Sequence, residues 1–192
     1  MPKIITAIIF CSIFLGSCDL FETREAQKPN ISSDNFPPAT TPEVLISNFL
    51  LAYRAKDENA YARCFYSAST GRQKYIYYPA SGARESYPVF TDEWGIEQEV
   101  RFFRNMISRV AEGSSVSITI SDSSSVNYGD SLRFTARYSV LIPEQGQSSS
   151  FTGQLEMKLA VDERLTWTII SWLDFRTGVY LTWSDMKGFY YF

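Results

Sequence analysis

The sequence has no histidine, only three cysteines and little net charge: 18 Lys and Arg stand against 21 Asp and Glu, a formal charge of −3 over 192 residues. Without histidine the chain has no Ser-His or Cys-His catalytic pair and no histidine metal ligand. Three cysteines are too few for a disulfide scaffold. The near balance of charge excludes an electrostatic nucleic-acid binder. We therefore predict no nucleic-acid partner, no metal and no cofactor.

Aromatic side chains are abundant, at 16% of the residues. This content is too high for a disordered protein, because it offers ample apolar surface for a core. Most of it lies in residues 41–192, a length typical of one domain. We predict one aromatic-rich globular domain over that range.

The first 17 residues are predicted to be a signal peptide. Lys3 supplies the positive charge, and the twelve residues 4–15 that follow are mostly apolar. As a helix this stretch would be about 18 Å long. A bilayer core is about 30 Å thick, so the stretch is too short to remain as a membrane span.

The segment Leu15-Gly16-Ser17-Cys18 resembles the lipobox of bacterial lipoproteins, with an aliphatic residue, two small residues and then a cysteine. The resemblance implies that Cys18 is acylated and becomes the first residue of the mature chain. It places the protein in the bacterial cell envelope, anchored to a membrane through its acyl chains and facing the periplasm or the exterior. Asp19 resembles an inner-membrane retention signal of enterobacteria. This signal does not apply to all bacteria, so the choice between inner and outer membrane stays open. The alternative is an ordinary signal peptide with an incidental Cys18.

Residues 18–40 are predicted to form the lipidated cysteine and a flexible tether. The segment contains Pro29, Pro37 and Pro38 and has no apolar periodicity, which is typical of a linker. A flexible coil of this length averages about 25 Å from end to end. The domain can then stand clear of the membrane surface.

Helix signals occur at four places in the domain. Thr41 with Pro42 predicts a first helix, and Asp57 caps a short second one that carries Cys64 on its apolar face. Thr91 begins a third, and Thr182 with Asp185 begins the last. The third helix carries one predicted buried stripe: Ile96, Val100, Phe103, Ile107 and Val110.

Charged and thiol side chains on these helices have simple structural explanations. The early acids of the third helix, Glu97 and Glu99, and its late bases complement the helix dipole. Cys64 is predicted to pack as a small hydrophobe. A catalytic thiolate would need a neighbouring base or cation, and the chain has no histidine to serve as one.

Strand signals make up most of the remainder. Residues 73–79 predict a strand, residues 87–90 a short second one, and alternation from residue 116 to 161 predicts three antiparallel strands. The last strand, residues 165–175, is apolar on both faces, which favours a central position in the sheet. There Trp167, Ile169 and Leu173 are predicted on one side, and Ile170 and Trp172 on the other.

This order of elements resembles the nuclear transport factor 2-like fold, also called ketosteroid isomerase-like or cystatin-like, over residues 41–175. The resemblance implies an α+β domain in which a curved antiparallel sheet wraps around helices and forms a cone with an apolar cavity. The implied cavity or ligand residues are Tyr53, Tyr78, Phe103, Tyr138, Trp172 and Asp174.

The isomerases of that fold resemble one another in a (Glu/Asp)-Asp-Pro-x-Gly segment whose Asp is the general base. The nearest match here is Tyr77-Tyr78-Pro79-Ala80-Ser81-Gly82, with Tyr78 in place of the carboxylate. A tyrosine with a pKa near 10 is a poor base at neutral pH. We therefore predict no catalytic residue, and Asp174 is the candidate that remains for the alternative of an enzyme.

Two of these positions have competing interpretations. Asp174 could act as an acid or base if buried in the cavity, or it could accept hydrogen bonds from the backbone of residues 176–178. Tyr75, Tyr77 and Tyr78 could form a stacking or sugar-binding strip, or they could simply be good strand residues. The aromatic C-terminus, residues 189–192, is expected to pack on the domain and could still offer a partner-binding patch.

Three functions are compatible with the sequence. The first is a non-catalytic, lipid-anchored domain that binds an envelope protein or a small apolar ligand. The second is an enzyme of the isomerase or dehydratase kind that uses Asp174 with Tyr53 or Tyr138. The third is an accessory subunit of a membrane complex, with the sheet as its interface. The absence of a catalytic constellation favours the first.

Overall fold

The computed structural model describes residues 36–67 and 74–192. The predicted signal peptide, Cys18 and most of the tether lie outside the described residues. Within the described ranges, no helix has the length and apolar character needed to cross a bilayer. Residues 37–39, assigned above to the tether, lie against the domain: Asn48 Nδ2 donates to the Pro37 carbonyl at 2.7 Å, and the Trp167 amide donates to the Ala39 carbonyl at 2.7 Å.

The first two helices begin where the sequence predicts. Helix α1 spans Pro42–Ala55, and the Thr41 hydroxyl accepts a hydrogen bond from the Val44 amide at 3.4 Å. Helix α2 spans Glu58–Arg63, and Asp57 Oδ1 accepts from the Ala60 amide at 2.8 Å. Both caps satisfy amides that have no partner inside their helix.

The five strands found in the described residues form one sheet in the order β1-β5-β4-β3-β2. Strand β1 pairs with β5 in parallel, and all other neighbours are antiparallel. This arrangement confirms the predicted α+β class and the interior position of the last strand. The strands are β1 (Ile76–Tyr78), β2 (Ser117–Asn127), β3 (Ser131–Glu144), β4 (Gln147–Val161) and β5 (Trp167–Phe175).

The segment between β1 and the next long helix differs from the prediction. Residues 87–90 are not a strand: helix α3 (Ala83–Ser86) is followed by a 3₁₀ turn over Pro88–Phe90. Pro88 fits the first position of such a turn, because its fixed φ is helical and it needs no amide partner there.

Helix α4 spans Ile96–Arg109 and begins later than Thr91. The delay has a non-local cause, since the Tyr77 amide donates to the Trp94 carbonyl at 3.0 Å and holds the preceding residues against β1. Gly95 then starts the helix, and its amide donates to Gln98 Oε1 at 3.1 Å.

Strand β5 contains a bulge that the sequence did not reveal. Leu159 pairs with Ile169 and Lys158 pairs with Ser171, so Ile170 is an extra residue. A bulge reverses the alternation of side chains beyond it. The predicted opposition of Ile169 and Trp172 is therefore wrong, and both belong to the core.

The last helix, α5 (Trp183–Tyr190), is buried almost all round. Its predicted capping box is confirmed, with the Thr182 amide donating to Asp185 Oδ2 at 2.7 Å and the Asp185 amide reaching Thr182 Oγ1 at 3.4 Å. Only Phe189 is exposed among the eight residues of the helix. A helix that is buried on every face lies inside its domain rather than on it.

Candidate functional site

Five of the six predicted cavity positions meet in the interior of the domain. Tyr53, Phe103, Tyr138, Trp172 and Asp174 come from α1, α4, β3 and β5, and all are buried. The space between them is taken by Trp183 of α5, whose ring centroid lies 5.6 Å from that of Tyr53, 5.0 Å from that of Tyr138 and 4.6 Å from that of Trp172. The chain's own aromatic rings thus occupy the place of the expected cavity.

Tyr78, the sixth position, does not line the interior. Its side chain is 44% exposed, whereas Tyr77 and Tyr75 are buried. Successive residues of a strand point to opposite faces, so the inward position of Tyr77 turns Tyr78 to the outside. The three tyrosines consequently form no continuous strip on the surface.

Asp174 anchors the first turn of α5. Its Oδ1 accepts a hydrogen bond from the Tyr138 hydroxyl at 2.6 Å, and its Oδ2 accepts from the Ser184 amide at 2.7 Å and the Ser184 hydroxyl at 2.6 Å. The expected partners at residues 176–178 are not the ones it uses. A carboxylate at the start of a helix also meets the positive end of the helix dipole.

Tyr138 links the same anchor to the helix backbone. Its hydroxyl oxygen accepts the Trp183 amide at 2.7 Å while the hydroxyl donates to Asp174. Burial, and then the negative charge of Asp174, hold the pKa of Tyr138 well above its ordinary value. The tyrosine therefore stays neutral and acts as a donor.

Glu99 is the second buried carboxylate, and it lies on α4. Its Oε1 accepts from the Tyr61 hydroxyl at 2.5 Å, and its Oε2 accepts from the Tyr75 hydroxyl at 2.9 Å and from Trp94 Nε1 at 2.7 Å. Lys187 Nζ of α5 donates to Oε1 as the fourth partner. Glu99 is fully buried, and burial of a polar group without such hydrogen-bond donors would cost free energy.

Lys187 brings the matching positive charge into the interior. Its side chain is fully buried, and its Nζ lies 4.0 Å from the ring centroid of Tyr77, 4.7 Å from that of Trp172 and 5.2 Å from that of Trp94. Burial lowers the pKa of Lys187 to about 8, against the opposing attraction of Glu99. One carboxylate and the faces of several aromatic rings thus surround the ammonium group.

Sequence reasoning missed this pair. It attributed Glu99 to the helix dipole and placed the buried stripe of α4 along Ile96 and Val100, which are only partly buried. The fully buried positions are spaced three, one and three residues apart: Glu99, Phe102, Phe103 and Met106. An acid in register with buried aromatic residues was the signal available in the sequence.

Cys64 behaves as predicted. It is buried, its Sγ donates to the Ala60 carbonyl at 3.4 Å, and burial raises the pKa of the thiol to about 12. A thiol with such a pKa is inert at neutral pH. Across residues 36–67 and 74–192 no cluster of three or more Cys, Asp or Glu side chains is suited to hold a metal ion.

All four carboxylate oxygens of Asp174 and Glu99 accept hydrogen bonds from the domain itself. Asp174 binds the start of α5, and Glu99 binds Lys187 near its end. Glu99 accepts two hydrogen bonds at each oxygen, and Asp174 accepts one at Oδ1 and two at Oδ2. Carboxylates occupied in this way are poorly placed to take a substrate proton. The buried polar groups therefore fix the helix in the interior.

The loop of residues 176–181, called here the apolar loop, carries three consecutive exposed apolar side chains, those of Val179, Tyr180 and Leu181. Val179 is 92% exposed and Tyr180 65% exposed. The backbone is nevertheless held at both ends: Arg176 donates to the Tyr180 carbonyl at 2.9 Å, and the Thr152 amide donates to the Leu181 carbonyl at 2.7 Å. Arg176 also pairs with Asp185 at 2.9 Å.

A shallow groove continues from the apolar loop along α5. Tyr87, Leu181 and Phe189 supply its aromatic and aliphatic walls, and residues 148–150 of β4 line the other side. These serines lie beyond the part of β4 that pairs with β5, which starts at Gln154. The loop and groove form one continuous surface of mixed apolar and hydroxyl character.

The C-terminal residues pack as expected. The ring of Tyr191 lies 5.2 Å from that of Trp94 and 4.8 Å from the guanidinium carbon of Arg101. Arg109 donates to the Phe192 carbonyl at 2.6 Å, and the Phe192 side chain stays exposed. The end of the chain is thus fixed over α4.

No protein-family model and no curated protein sequence matches this chain. Similar folds occur among solved structures. A candidate dehydratase of the NTF2-like family from Streptomyces avermitilis is 9% identical, with a TM-score of 0.55 over 71% of this chain and 94% of that one. An NTF2-like superfamily protein from Salmonella enterica is 14% identical, with a TM-score of 0.52 over 70% and 89%.

An NTF2-like protein of unknown function in nutrient uptake from Rhodospirillum rubrum is 9% identical, with a TM-score of 0.52 over 70% of this chain and 97% of that one. Identities this low show the fold and carry no function across. The order of strands in the sheet, the buried helix α5 and the similarity to these structures all indicate the same fold. The described chain is a domain of the nuclear transport factor 2-like fold.

Proposed function

We propose that this protein is a lipid-anchored, non-catalytic component of a bacterial cell envelope, whose domain binds a protein partner through the apolar loop and the adjoining groove. The observation that carries the proposal is the position of α5. Because Trp183 and Lys187 fill the interior, the surface remains as the place for recognition. An accessory subunit of a membrane complex would be one form of this function.

The enzyme hypothesis receives less support from the same geometry. Asp174 does meet a tyrosine, since Tyr138 donates to it at 2.6 Å. Both groups are committed to α5, through Ser184 and the Trp183 amide. A substrate would have to displace the helix before it could reach either group.

The apolar loop has the features of a protein-binding surface. Large exposed apolar patches on a folded domain mark interaction sites, and aromatic residues are enriched at the centres of interfaces. Tyr180 and Val179 project from a backbone held by Arg176 and Thr152. A held backbone lowers the entropy that binding would cost.

A second candidate surface would take a small apolar ligand. A groove of about 470 Å³ lies between α1 and the sheet. Ile46 and Leu50 of α1 face Ile120 and Phe134 of the sheet across it, all partly buried. Ligand grooves are typically concave and apolar in this way. A small apolar ligand, which the first sequence hypothesis names beside a protein partner, would bind in this groove.

Site-specific photo-crosslinking tests the partner proposal. A photoreactive phenylalanine analogue at Tyr180 is expected to give one discrete adduct in intact cells, because this side chain would lie within an interface. The matched control is Tyr128, a second exposed tyrosine, whose side chain is 57% exposed. Tyr128 adjoins Ser131, which pairs with Ala160, eight residues along β4 from the loop contact at Thr152. That separation is about 26 Å.

The two positions have to differ for the proposal to hold. An adduct from position 180 and none from position 128 would support it, and mass spectrometry would identify the partner. Equal adducts from both sites, or none from position 180, would contradict partner binding at this surface.

The anchoring proposal has its own test at Cys18. A Cys18→Ser variant is expected to move from the membrane fraction to the soluble fraction, because the acyl chains supply the apolar surface that binds the bilayer. Cys11→Ala is the matched control and should remain with the membrane, since Cys11 lies within the predicted signal peptide. A Cys18→Ser protein that stays membrane-bound after a high-salt wash would contradict lipidation.

A further inference from the structure

The Lys187 amino group is enclosed by one carboxylate and four aromatic rings. One carboxylate, Glu99, faces it, and the rings of Tyr77, Trp172 and Trp94 lie 4.0, 4.7 and 5.2 Å from Nζ. A fourth ring, that of Phe102, lies at 5.3 Å. The faces of aromatic rings carry negative potential and attract cations, most strongly where water is excluded.

We propose that this cage is a binding site for a primary alkylammonium group, and that the chain occupies it with its own Lys187. In this interpretation the lysine side chain acts as a ligand of the cage and is covalently attached to the chain. The inference is independent of the partner proposed for the apolar loop. It assigns a chemical class of ligand only to the position that the Lys187 side chain occupies.

The selectivity follows from the partners of Glu99. Tyr61, Tyr75 and Trp94 donate three neutral hydrogen bonds to its oxygens at 2.5–2.9 Å, so the negative charge is stabilised without neutralising it. A neutral amine or alcohol would leave this charge uncompensated. A quaternary ammonium ion would lack the N–H donor that Glu99 accepts.

Contacts other than the Glu99–Lys187 pair hold the beginning of α5 in place. The beginning of the helix is bound by Asp174 through Ser184, and by Arg176 through Asp185. None of these groups touches Glu99 in the contacts of the described residues. Truncation of Lys187 should therefore leave the helix anchored and open a channel shaped like the missing side chain.

A chemical-rescue experiment tests the site. In Lys187→Ala the missing atoms, Cγ to Nζ, are those of n-propylammonium. Thermal unfolding of the detergent-solubilised full chain is followed by near-ultraviolet circular dichroism with added n-propylammonium chloride. The melting temperature of the variant is expected to rise by about 5–10 °C at a hundredfold excess over the dissociation constant. The wild-type protein should not shift, because Lys187 fills the site.

Matched probes separate specific binding from solvent effects. Neither 1-propanol, tetramethylammonium chloride nor sodium chloride at equal concentration should stabilise Lys187→Ala. The double variant Lys187→Ala with Glu99→Gln should lose the rescue, since the carboxylate charge is gone. A rescue by n-propylammonium that needs Glu99 supports the proposal.

Several results would overturn it. These are the absence of any shift with n-propylammonium, an equal shift with 1-propanol, or an equal shift in the double variant. If Lys187→Ala does not fold in buffer, the titration becomes a refolding experiment with the recovered near-ultraviolet signal as readout. Recovery with n-propylammonium alone then supports the site, and failure to recover with it overturns the site.

Discussion

Replacement of Lys187 by methionine is expected to lower the free energy of unfolding by about 3–5 kcal/mol, because it leaves the Glu99 carboxylate buried without a cation. Methionine keeps most of the volume and the apolar contacts of the lysine stem, so the loss reports mainly on charge. Both members of the pair are fully buried, and solvent does not screen them. Urea unfolding followed by tryptophan fluorescence measures the change.

The reciprocal variant and the double variant complete a thermodynamic cycle. Glu99→Gln is also expected to be destabilising, since it leaves the Lys187 ammonium unpaired. The double variant Glu99→Gln with Lys187→Met should cost clearly less than the sum of the two single changes, because no buried charge remains. Additive losses would contradict coupling between the two residues.

An exposed ion pair provides the matched control. Arg104 donates to Glu58 through two nitrogens, at 2.5 and 2.8 Å, and its side chain is largely exposed. Surface pairs of this kind contribute about 0–1 kcal/mol. Arg104→Met should therefore change stability far less than Lys187→Met, although its ion pair has two good hydrogen bonds. Equal losses would contradict a larger contribution from the buried pair than from the exposed one.

The substitution Gly153→Ala is expected to lower the free energy of unfolding by about 2–4 kcal/mol, from overpacking and from at least one lost buried hydrogen bond. Gly153 of β4 pairs with Tyr138 of β3. A Cβ at this position would lie 2.5 Å from the Tyr138 hydroxyl oxygen and 2.7 Å from the Phe175 carbonyl oxygen. Tyr138 would have to move, and it carries the contacts to Asp174 and to the Trp183 amide.

The matched control for this substitution is Gly95→Ala. At Gly95 φ is −108°, and a new Cβ would have its closest neighbours at 3.6 and 3.7 Å. We expect a loss of less than about 1 kcal/mol, typical of a helix cap. Urea midpoints of the two variants give the comparison. If Gly153→Ala were as mild as Gly95→Ala, Tyr138 could not be a fixed support of α5.

The parts of the fold that the sequence predicted well depend on local interactions. Thr41, Asp57 and Thr182 each cap a helix through partners within three residues, and all three were predicted from their neighbours. Alternation in β3 and β4 likewise follows from adjacent residues and a single buried face. Such signals survive without knowledge of the rest of the chain.

The errors in the fold arose where distant residues intervene. Trp94 is held by Tyr77, so α4 begins at Ile96 and not at Thr91. The bulge at Ile170 depends on the register between β4 and β5. The sequence pattern does not reveal it, because β5 is apolar on both faces. Neither effect is encoded in a short window of sequence.

The sequence by itself determined the α+β class, the starts of the first, second and last helices and the packing of Cys64, and its resemblance implied that Tyr53, Phe103, Tyr138, Trp172 and Asp174 lie close together. Only the tertiary structure decided which side chains fill the space between these residues. Glu99 and Lys187 are 88 residues apart and look like ordinary surface charges in their own helices. Their pairing exists because α5 is buried against α4 and the sheet, and burial makes each charge depend on the other.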